Sequence, residues 1–176
     1  MINIDSIAKT FTHGYEDPTE DQSSGTIDFY NIDSTVKDYV KSLLPMDIQS
    51  WIRNVRVSII KGRTIMPHRD HRGSVCINYY FVPGSARTTF WTAKSTATAI
   101  RAPGQYTDNM YLFEDINEEC FFVADTNSCY LLNTGEIHSV SMEREDSIRK
   151  MIQLTFDPEM TYNPVLNKLR KLNLVN

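Results

Sequence analysis

The stretch VRVSIIKGRTIMPHRD, residues 55–70, decides how the rest of the chain is read. Before it, apolar residues recur at helical spacing; from Val55 onward the period becomes strand-like, with β-branched residues in short runs. VRVSII (55–60) reads as one strand and RTIMPH (63–68) as the next, with Lys61-Gly62 as the turn between them. The second strand closes on His68, Arg69 and Asp70.

Downstream the same pattern repeats. VCINYYFV (75–82), RTTFWTA (87–93), residues near 96–101, MYLF (110–113), ECFFVA (119–124), CYLLN (129–133) and RKMIQLTF (149–156) are short and rich in Val, Ile, Thr and aromatic residues. Pro-Gly at 83–84 and 103–104 and Thr-Gly-Glu at 134–136 separate them. So many short strands at such spacing predict a mainly β fold that is closed or two-sheeted, a jelly roll or similar barrel. Upstream, Asp33 or Ser34 can cap a helix carrying Val36, Tyr39, Val40 and Leu43 until Pro45 stops it, and a second short helix is expected around Met46 to Arg53. Near the end, Pro164 suits the first turn of a helix with Val165, Leu166, Leu169 and Leu172 on one face. The expected organisation is one domain over 1–176: an N-terminal acidic loop and supporting helices (1–54), a β core (55–156) and a C-terminal helix (157–176). Residues 16–26, EDPTEDQSSGT, read as an exposed loop.

Composition bounds the function. With 41% hydrophobic and 23% charged residues the chain has enough apolar material for a core and does not read as disordered. Its 18 Lys and Arg against 22 Asp and Glu leave a net charge of −4, which argues against binding nucleic acid through its phosphates. No stretch approaches the roughly 18 apolar residues of a membrane span, and MINIDSIAKTF lacks the basic-then-apolar pattern of a signal peptide, so a cytoplasmic protein is expected. Cys76, Cys120 and Cys129 make neither an even disulfide framework nor a CxxC knuckle and are read as reduced thiols.

Histidine occurs only four times, at His13, His68, His71 and His138. Because strand side chains alternate, His68 and Asp70 point to the same face, and the strand-turn-strand of LLNTGEIHSV (131–140) can bring His138 to them. Two imidazoles and one carboxylate on one face make a facial triad suited to non-haem Fe(II), and also to Zn(II), Mn(II) or Ni(II). The bland alternative is that an HxD triplet arises by chance and that its histidine is an ordinary strand residue. Against it stands an ordered set: Gly62, then His68 and Asp70, then His138, then Arg149 at the start of a new strand.

Through IMPHRD, INYYF, LLNTGEIHSV and RKMIQLTF, from about Val55 to Phe156, the chain resembles the Fe(II)/2-oxoglutarate-dependent dioxygenases. The resemblance implies a double-stranded β-helix, a jelly-roll type shared with cupins, with iron on His68, Asp70 and His138. It implies Fe(II), with 2-oxoglutarate as co-substrate and O2, oxidative decarboxylation to succinate and CO2, and hydroxylation of an unactivated C–H bond. It also implies that Arg149 holds the distal carboxylate of 2-oxoglutarate, a role its planar, permanently charged fork suits. Lys150 is the competing choice, since some members use lysine and only one of the two can face inward. Arg149 is favoured because it is in phase with Gln153 and Thr155 and leaves Ile152, Leu154 and Phe156 to pack outward. The same choice on strand 75–82 puts Asn78 and Tyr80 towards the cavity, as co-substrate or substrate contacts, with a core role for Tyr80 as the alternative. Ser58 lies where relatives often place a co-substrate contact.

Other residues are weaker candidates. His71 should face away from the triad; Trp91 could line the pocket mouth or belong to the core; Arg56 and Arg87 could meet an anionic substrate or simply be solvated. Segment 14–33 and loop 102–109, with Pro103, Gly104 and Tyr106, are candidate lids. The chain departs from the prolyl hydroxylases in carrying Ile59 and Ile65 where they tend to have tyrosines, with only Gly62 matching. The aspartyl/asparaginyl branch resembles PHRD and INYYF, yet many of its members lack the acidic ligand that Asp70 supplies. Small members occur in phages and marine bacteria, a size class this chain suits; a phage-encoded protein would act in the host cytoplasm. The expected substrate is a prolyl, asparaginyl or aspartyl side chain of a protein, or a small metabolite. Two other readings compete, a cupin-like metal or ligand binder without oxygenase activity and a structural jelly roll with a fortuitous HxD. Oligomeric state is left open.

Overall fold

In the computed structural model, residues 27–62, 64–70, 75–100 and 107–174 are described. Ten strands run β1 (Ile27–Asn31), β2 (Ile52–Lys61), β3 (Ile65–Asp70), β4 (Cys76–Val82), β5 (Ala86–Ala93), β6 (Thr107–Met110), β7 (Ile116–Val123), β8 (Ser128–Leu132), β9 (Ile137–Met142) and β10 (Ile148–Phe156). They build two five-stranded antiparallel sheets, ordered β1-β2-β10-β4-β8 and β6-β3-β9-β5-β7. The links β2 to β3, β3 to β4, β4 to β5, β8 to β9 and β9 to β10 each carry the chain from one sheet to the other. That alternation between facing sheets is the double-stranded β-helix, or jelly roll.

Alternation along the strands sorts the side chains into three layers. On the outer face of the first sheet, Val55, Val57, Ile59, Ile77, Tyr79, Ile152, Leu154 and Phe156 form the main core with the helices. Helix α1 (Ser34–Ser42) contributes Val40, α2 (Met46–Gln49) Ile48, and α3 (Tyr162–Lys171) Val165 and Leu169. Burying a Val or Ile of this kind stabilises by about 1.5–3 kcal/mol. On the outer face of the second sheet Tyr111, Ile116 and Ile137 form a smaller cluster with Trp91. Between the sheets, Ile60, Tyr80, Ala86, Ala124, Val140 and Met151 share the space with buried polar side chains.

The helices follow their local signals. Asp33 caps α1, its Oδ1 accepting from the Thr35 N–H at 2.7 Å, and Pro164 sits in the first turn of α3. Four expectations need correction. The second helix ends at Gln49, and β2 begins by Ile52 because Ile52 must join the apolar layer under the helices. Residues 27–31, assigned to the acidic loop, form edge strand β1 against β2, with Phe29 buried. Of segment 96–101, the described residues 96–100 contribute one isolated bridge, Ile100 to Met110. The strand expected at 110–113 lies earlier, as β6, and Phe113–Asp115 forms a 3-10 turn.

Gly62 turns β2 towards β3 with a positive φ of 49°, its N–H donating to the Ser147 carbonyl at 2.9 Å. A Cβ there would collide with the Glu145 carbonyl oxygen. The left-handed backbone alone costs a non-glycine about 1–2 kcal/mol, and the 143–147 turn would have to move as well. Gly62→Ala should therefore lower the melting temperature by at least about 3 °C for a chain of this size; an unchanged transition in scanning calorimetry would contradict this role.

Candidate metal centre

The inner face of the second sheet places β3 beside β9 with His68 directly opposite His138. The rings lie 4.3 Å apart between centroids, and Asp70, two residues along β3, returns to the same face. One ligand atom from each of His68, Asp70 and His138 lies within 4.8 Å of the others. Both histidines are buried, whereas Asp70 is half-buried.

Each imidazole is oriented by a backbone carbonyl. Nδ1 of His68 lies 2.7 Å from the Met66 oxygen and Nδ1 of His138 lies 3.0 Å from the Glu136 oxygen. A carbonyl only accepts, so each Nδ1 carries the hydrogen and each neutral ring keeps a bare Nε2 for a metal. Nε2 of His68 is 3.5 Å from Asp70 Oδ1. Asp70 is fixed in turn by Thr134, whose carbonyl accepts from the Asp70 N–H at 3.0 Å and whose hydroxyl bonds its carboxylate. Two nitrogens and one oxygen so arranged fit a divalent transition metal.

The charges of the three groups are coupled. Burial pulls His68 down, but the hydrogen bond and charge of Asp70 outweigh it, with the Met66 carbonyl adding to them, and the imidazole ends above its ordinary 6.5. His138 is lowered, chiefly by burial, with Asp70 pulling the other way and His68 adding to the lowering. Asp70 stays below its ordinary 3.8, because the His68 hydrogen bond, the nearby imidazoles and Thr134 together outweigh its burial. A metal needs all three groups deprotonated. With His68 raised, protons compete from above pH 6.5 downward, so apparent metal affinity should fall as pH drops through this region. A competitive-chelator titration between neutral and mildly acidic pH reads this directly, and a pH-independent affinity would contradict it.

Opposite the triad, the first sheet presents Ser58, Asn78, Tyr80, Arg149, Met151 and Gln153 on its inner face. Arg149 is 1% exposed. Its Nε donates to the Pro83 carbonyl at 3.3 Å, Nη1 to Thr88 Oγ1 at 2.8 Å, and Nη2 to the Ala86 carbonyl. The guanidinium lies 5.0 Å from the centre of the Tyr80 ring. Burial lowers Arg149, partly offset by Tyr80, and no acidic side chain among the described residues pairs with it. Lys150 alternates to the outer side, with Ile152 and Leu154.

Asn78 Nδ2 donates to the Tyr80 hydroxyl at 3.2 Å, and Tyr80 is raised mainly by burial. Tyr80 also packs edge-on against Phe122 and Tyr130, so it is a core aromatic and a lining residue at once. Ser58 is fully buried, and its hydroxyl has no hydrogen-bond partner among the described residues. An orphan hydroxyl on the face opposite the triad is what a chamber built around an absent polar group would show.

Several expectations separate here. Arg87 points outward, pairing with Glu118 at 2.6 Å and lying over the Phe121 ring. Trp91 also lies outside, donating to Ser139 Oγ at 2.9 Å within the outer cluster, so it lines no inner chamber. Arg56 is on the inner face, its Nε donating to Gln153 Oε1 at 2.8 Å. His13, His71, most of segment 14–33 and Pro103, Gly104 and Tyr106 lie outside the described residues. Residues not anticipated are Thr134, Phe90, whose ring lies 6.1 Å from His138, and Cys76, buried beside Asn78 and Gln153. Thr134 carried a signal in the TGE turn before His138, since turn threonines commonly bond neighbouring groups. All three cysteines are free, and no helix among the described residues is long and apolar enough to cross a membrane.

No protein-family model matches the sequence, and no curated protein matches it. Among solved structures, E. coli ycfD aligns over 98% of this chain and 51% of its own at 12% identity, with a TM-score of 0.48. The Clostridium difficile EutQ protein aligns over 86% of this chain and 79% of its own at 12% identity, TM-score 0.39. Bacillus subtilis oxalate decarboxylase, studied for its Mn(II) centres, aligns over 92% of this chain but 35% of its own at 13% identity, TM-score 0.39. The chain thus spans about half the length of ycfD and about a third of that decarboxylase.

Proposed function

We propose that the protein is an Fe(II)- and 2-oxoglutarate-dependent oxygenase, with His68, Asp70 and His138 as metal ligands. The observation that carries the reading is Arg149, a buried cation without an acidic partner among the described residues, on the inner face opposite the triad. A buried charge left without a counter-ion is costly, and the distal carboxylate of 2-oxoglutarate would complete it bidentately. When bound, iron with 2-oxoglutarate and O2 supplies oxidative decarboxylation to succinate and CO2 and oxygen insertion into an unactivated C–H bond.

The chain supplies placement and exclusion of water. His68, Asp70 and His138 would hold the metal, and Met66, Glu136 and Thr134 keep their side chains in place for it. Arg149 would orient the co-substrate, with Tyr80, Asn78 and Ser58 as polar lining, while Ile60, Val140 and Met151 keep the chamber apolar between them. The substrate is a protein side chain, prolyl or asparaginyl/aspartyl, or a small metabolite, encountered in the cytoplasm.

A second reading, a cupin-like metal or ligand binder without oxygenase chemistry, has its own observation. Nε, Nη1 and Nη2 of Arg149 each donate to a protein acceptor, as a structural arginine tying β10 to the β4–β5 turn would. Anaerobic titration of the Fe(II)-loaded protein with 2-oxoglutarate separates the two. A visible charge-transfer band and succinate formation on admitting O2 are expected. A folded protein that holds stoichiometric metal and gives neither is a binder, and one that holds no metal at all is a structural jelly roll.

A further inference from the structure

A series of polar side chains crosses the inner face of the first sheet, and the direction of each of its hydrogen bonds follows from its first member. Arg56 Nε can only donate, so the atom of the Gln153 amide that it meets at 2.8 Å is Oε1. Gln153 Nε2 is thereby turned to Cys76 and donates to Sγ at 3.9 Å. With its sulfur accepting, the Cys76 thiol keeps its hydrogen to give, and it donates to Asn78 Oδ1 at 3.5 Å. The other end of that amide, Nδ2, then donates to the Tyr80 hydroxyl oxygen at 3.2 Å. Every hydrogen of the series points towards Tyr80.

Tyr80 meets a donor from the other side as well. Thr88, whose oxygen accepts from Arg149 Nη1 at 2.8 Å, bonds Tyr80 in the sense that favours the phenolate, as a donor does. The Tyr80 oxygen therefore accepts, and its own hydroxyl hydrogen is left for an acceptor within the chamber. The link on which this depends is Cys76, which is 2% exposed. Burial and the Asp70 carboxylate push its thiol up to about 12, while Gln153 and Arg56 act in the opposite sense, so it keeps its hydrogen at neutral pH. Without that hydrogen nothing tells the two ends of the Asn78 amide apart, because its oxygen and nitrogen are nearly equal in size. The amide could then turn over, present Oδ1 to Tyr80 and take the hydroxyl hydrogen for itself.

We propose that Cys76 is a positioning residue: its thiol, donating to Asn78, fixes the amide so that Tyr80 gives its hydroxyl hydrogen to an oxygen of the bound co-substrate. The proposal rests on the oxygenase reading, in which Tyr80 is a contact for 2-oxoglutarate. Cys76 acts through Asn78 and takes no ligand itself.

The test uses the full chain loaded with Fe(II) in the absence of O2, with the dissociation constant of 2-oxoglutarate read by calorimetry. Cys76→Ala should weaken binding at least about tenfold, the loss expected of one hydrogen bond to a charged group. Cys76→Ser, which accepts and donates as the thiol does, should stay within about threefold of the wild type. Tyr80→Phe should weaken binding as Cys76→Ala does, and Cys76→Ala should add nothing in the Tyr80→Phe background, because both act on one bond. Metal affinity should be the same in all these proteins. A purely structural Cys76 would lower the melting temperature and leave the dissociation constant alone, or would add its penalty to that of Tyr80→Phe; either result overturns the proposal. If Cys76→Ala does not fold, Cys76→Val, which fills the site and has no hydrogen to donate, takes its place in the same cycle. A second measurement needs no metal. With Cys120→Ser and Cys129→Ser leaving a single thiol, the infrared S–H band should stand at the frequency of a hydrogen-bonded donor and rise in Asn78→Leu; a band at the free-thiol frequency overturns the proposal. A wild-type chain that holds metal and binds no 2-oxoglutarate would instead bring down the oxygenase reading, and the proposal with it.

Discussion

His138→Ala should abolish stoichiometric binding of a divalent metal. The residue supplies one of three donor atoms within 4.8 Å of one another, its ring is held by the Glu136 carbonyl, and no other histidine among the described residues stands near enough to replace it. Removing an outer partner of a metal ligand typically costs 10–100-fold in affinity; losing the ligand itself should cost more than about 100-fold by the same scale. Thr134→Ala, which removes only the hydroxyl that steadies Asp70, belongs in the lower range. The measurement is elemental analysis after loading and desalting, with a chelator competition for the weaker variant. Melting of the apo-proteins guards against a folding artefact, because His138 lies within β9 between two paired strands. Stoichiometric metal retained by folded His138→Ala would remove it from the ligand set.

Arg149→Met should raise the 2-oxoglutarate requirement by at least about 100-fold, on the order of the 3 kcal/mol that a charge-assisted bidentate pair can supply. Metal affinity should not change, since Arg149 touches none of the three ligands. Methionine fills much of the volume and removes a buried charge, but it strands the Pro83 and Ala86 carbonyls and the Thr88 hydroxyl. Each stranded group costs about 1–3 kcal/mol, so a lower melting temperature is expected alongside. Lys150→Gln is the control, because its side chain lies on the outer side of β10 with Ile152 and should leave the co-substrate requirement as it was. A thermal effect in Arg149→Met with an unaltered 2-oxoglutarate requirement would make Arg149 a purely structural cation.

Much of this was legible in the chain because it is local. Strand alternation places His68 with Asp70, and separates Arg149, Gln153 and Thr155 from Ile152, Leu154 and Phe156, with no knowledge of any partner strand. The caps and prolines at Asp33, Pro45 and Pro164 mark helix ends by contacts within a few residues. Strand β1 was not legible, because a short edge strand beside an acidic, turn-rich segment carries little pattern of its own and forms only against β2. Arg87 and Trp91 were equally opaque: on one strand of a two-sided sheet, period two separates the faces without saying which one is inside.

Local pattern in the chain is enough for the β architecture, the strand positions of most of the core and the three residues that could hold a metal. The pairing of β3 with β9, through which His68 meets His138, is a property of the folded sheets. So are the burial of Arg149 among neutral acceptors and the meeting of Arg56 with Gln153 across the first sheet. The division is physical. Periodicity and capping are set within a few residues, whereas these contacts join residues 61 to 97 positions apart through the register of strands that meet only when both sheets close.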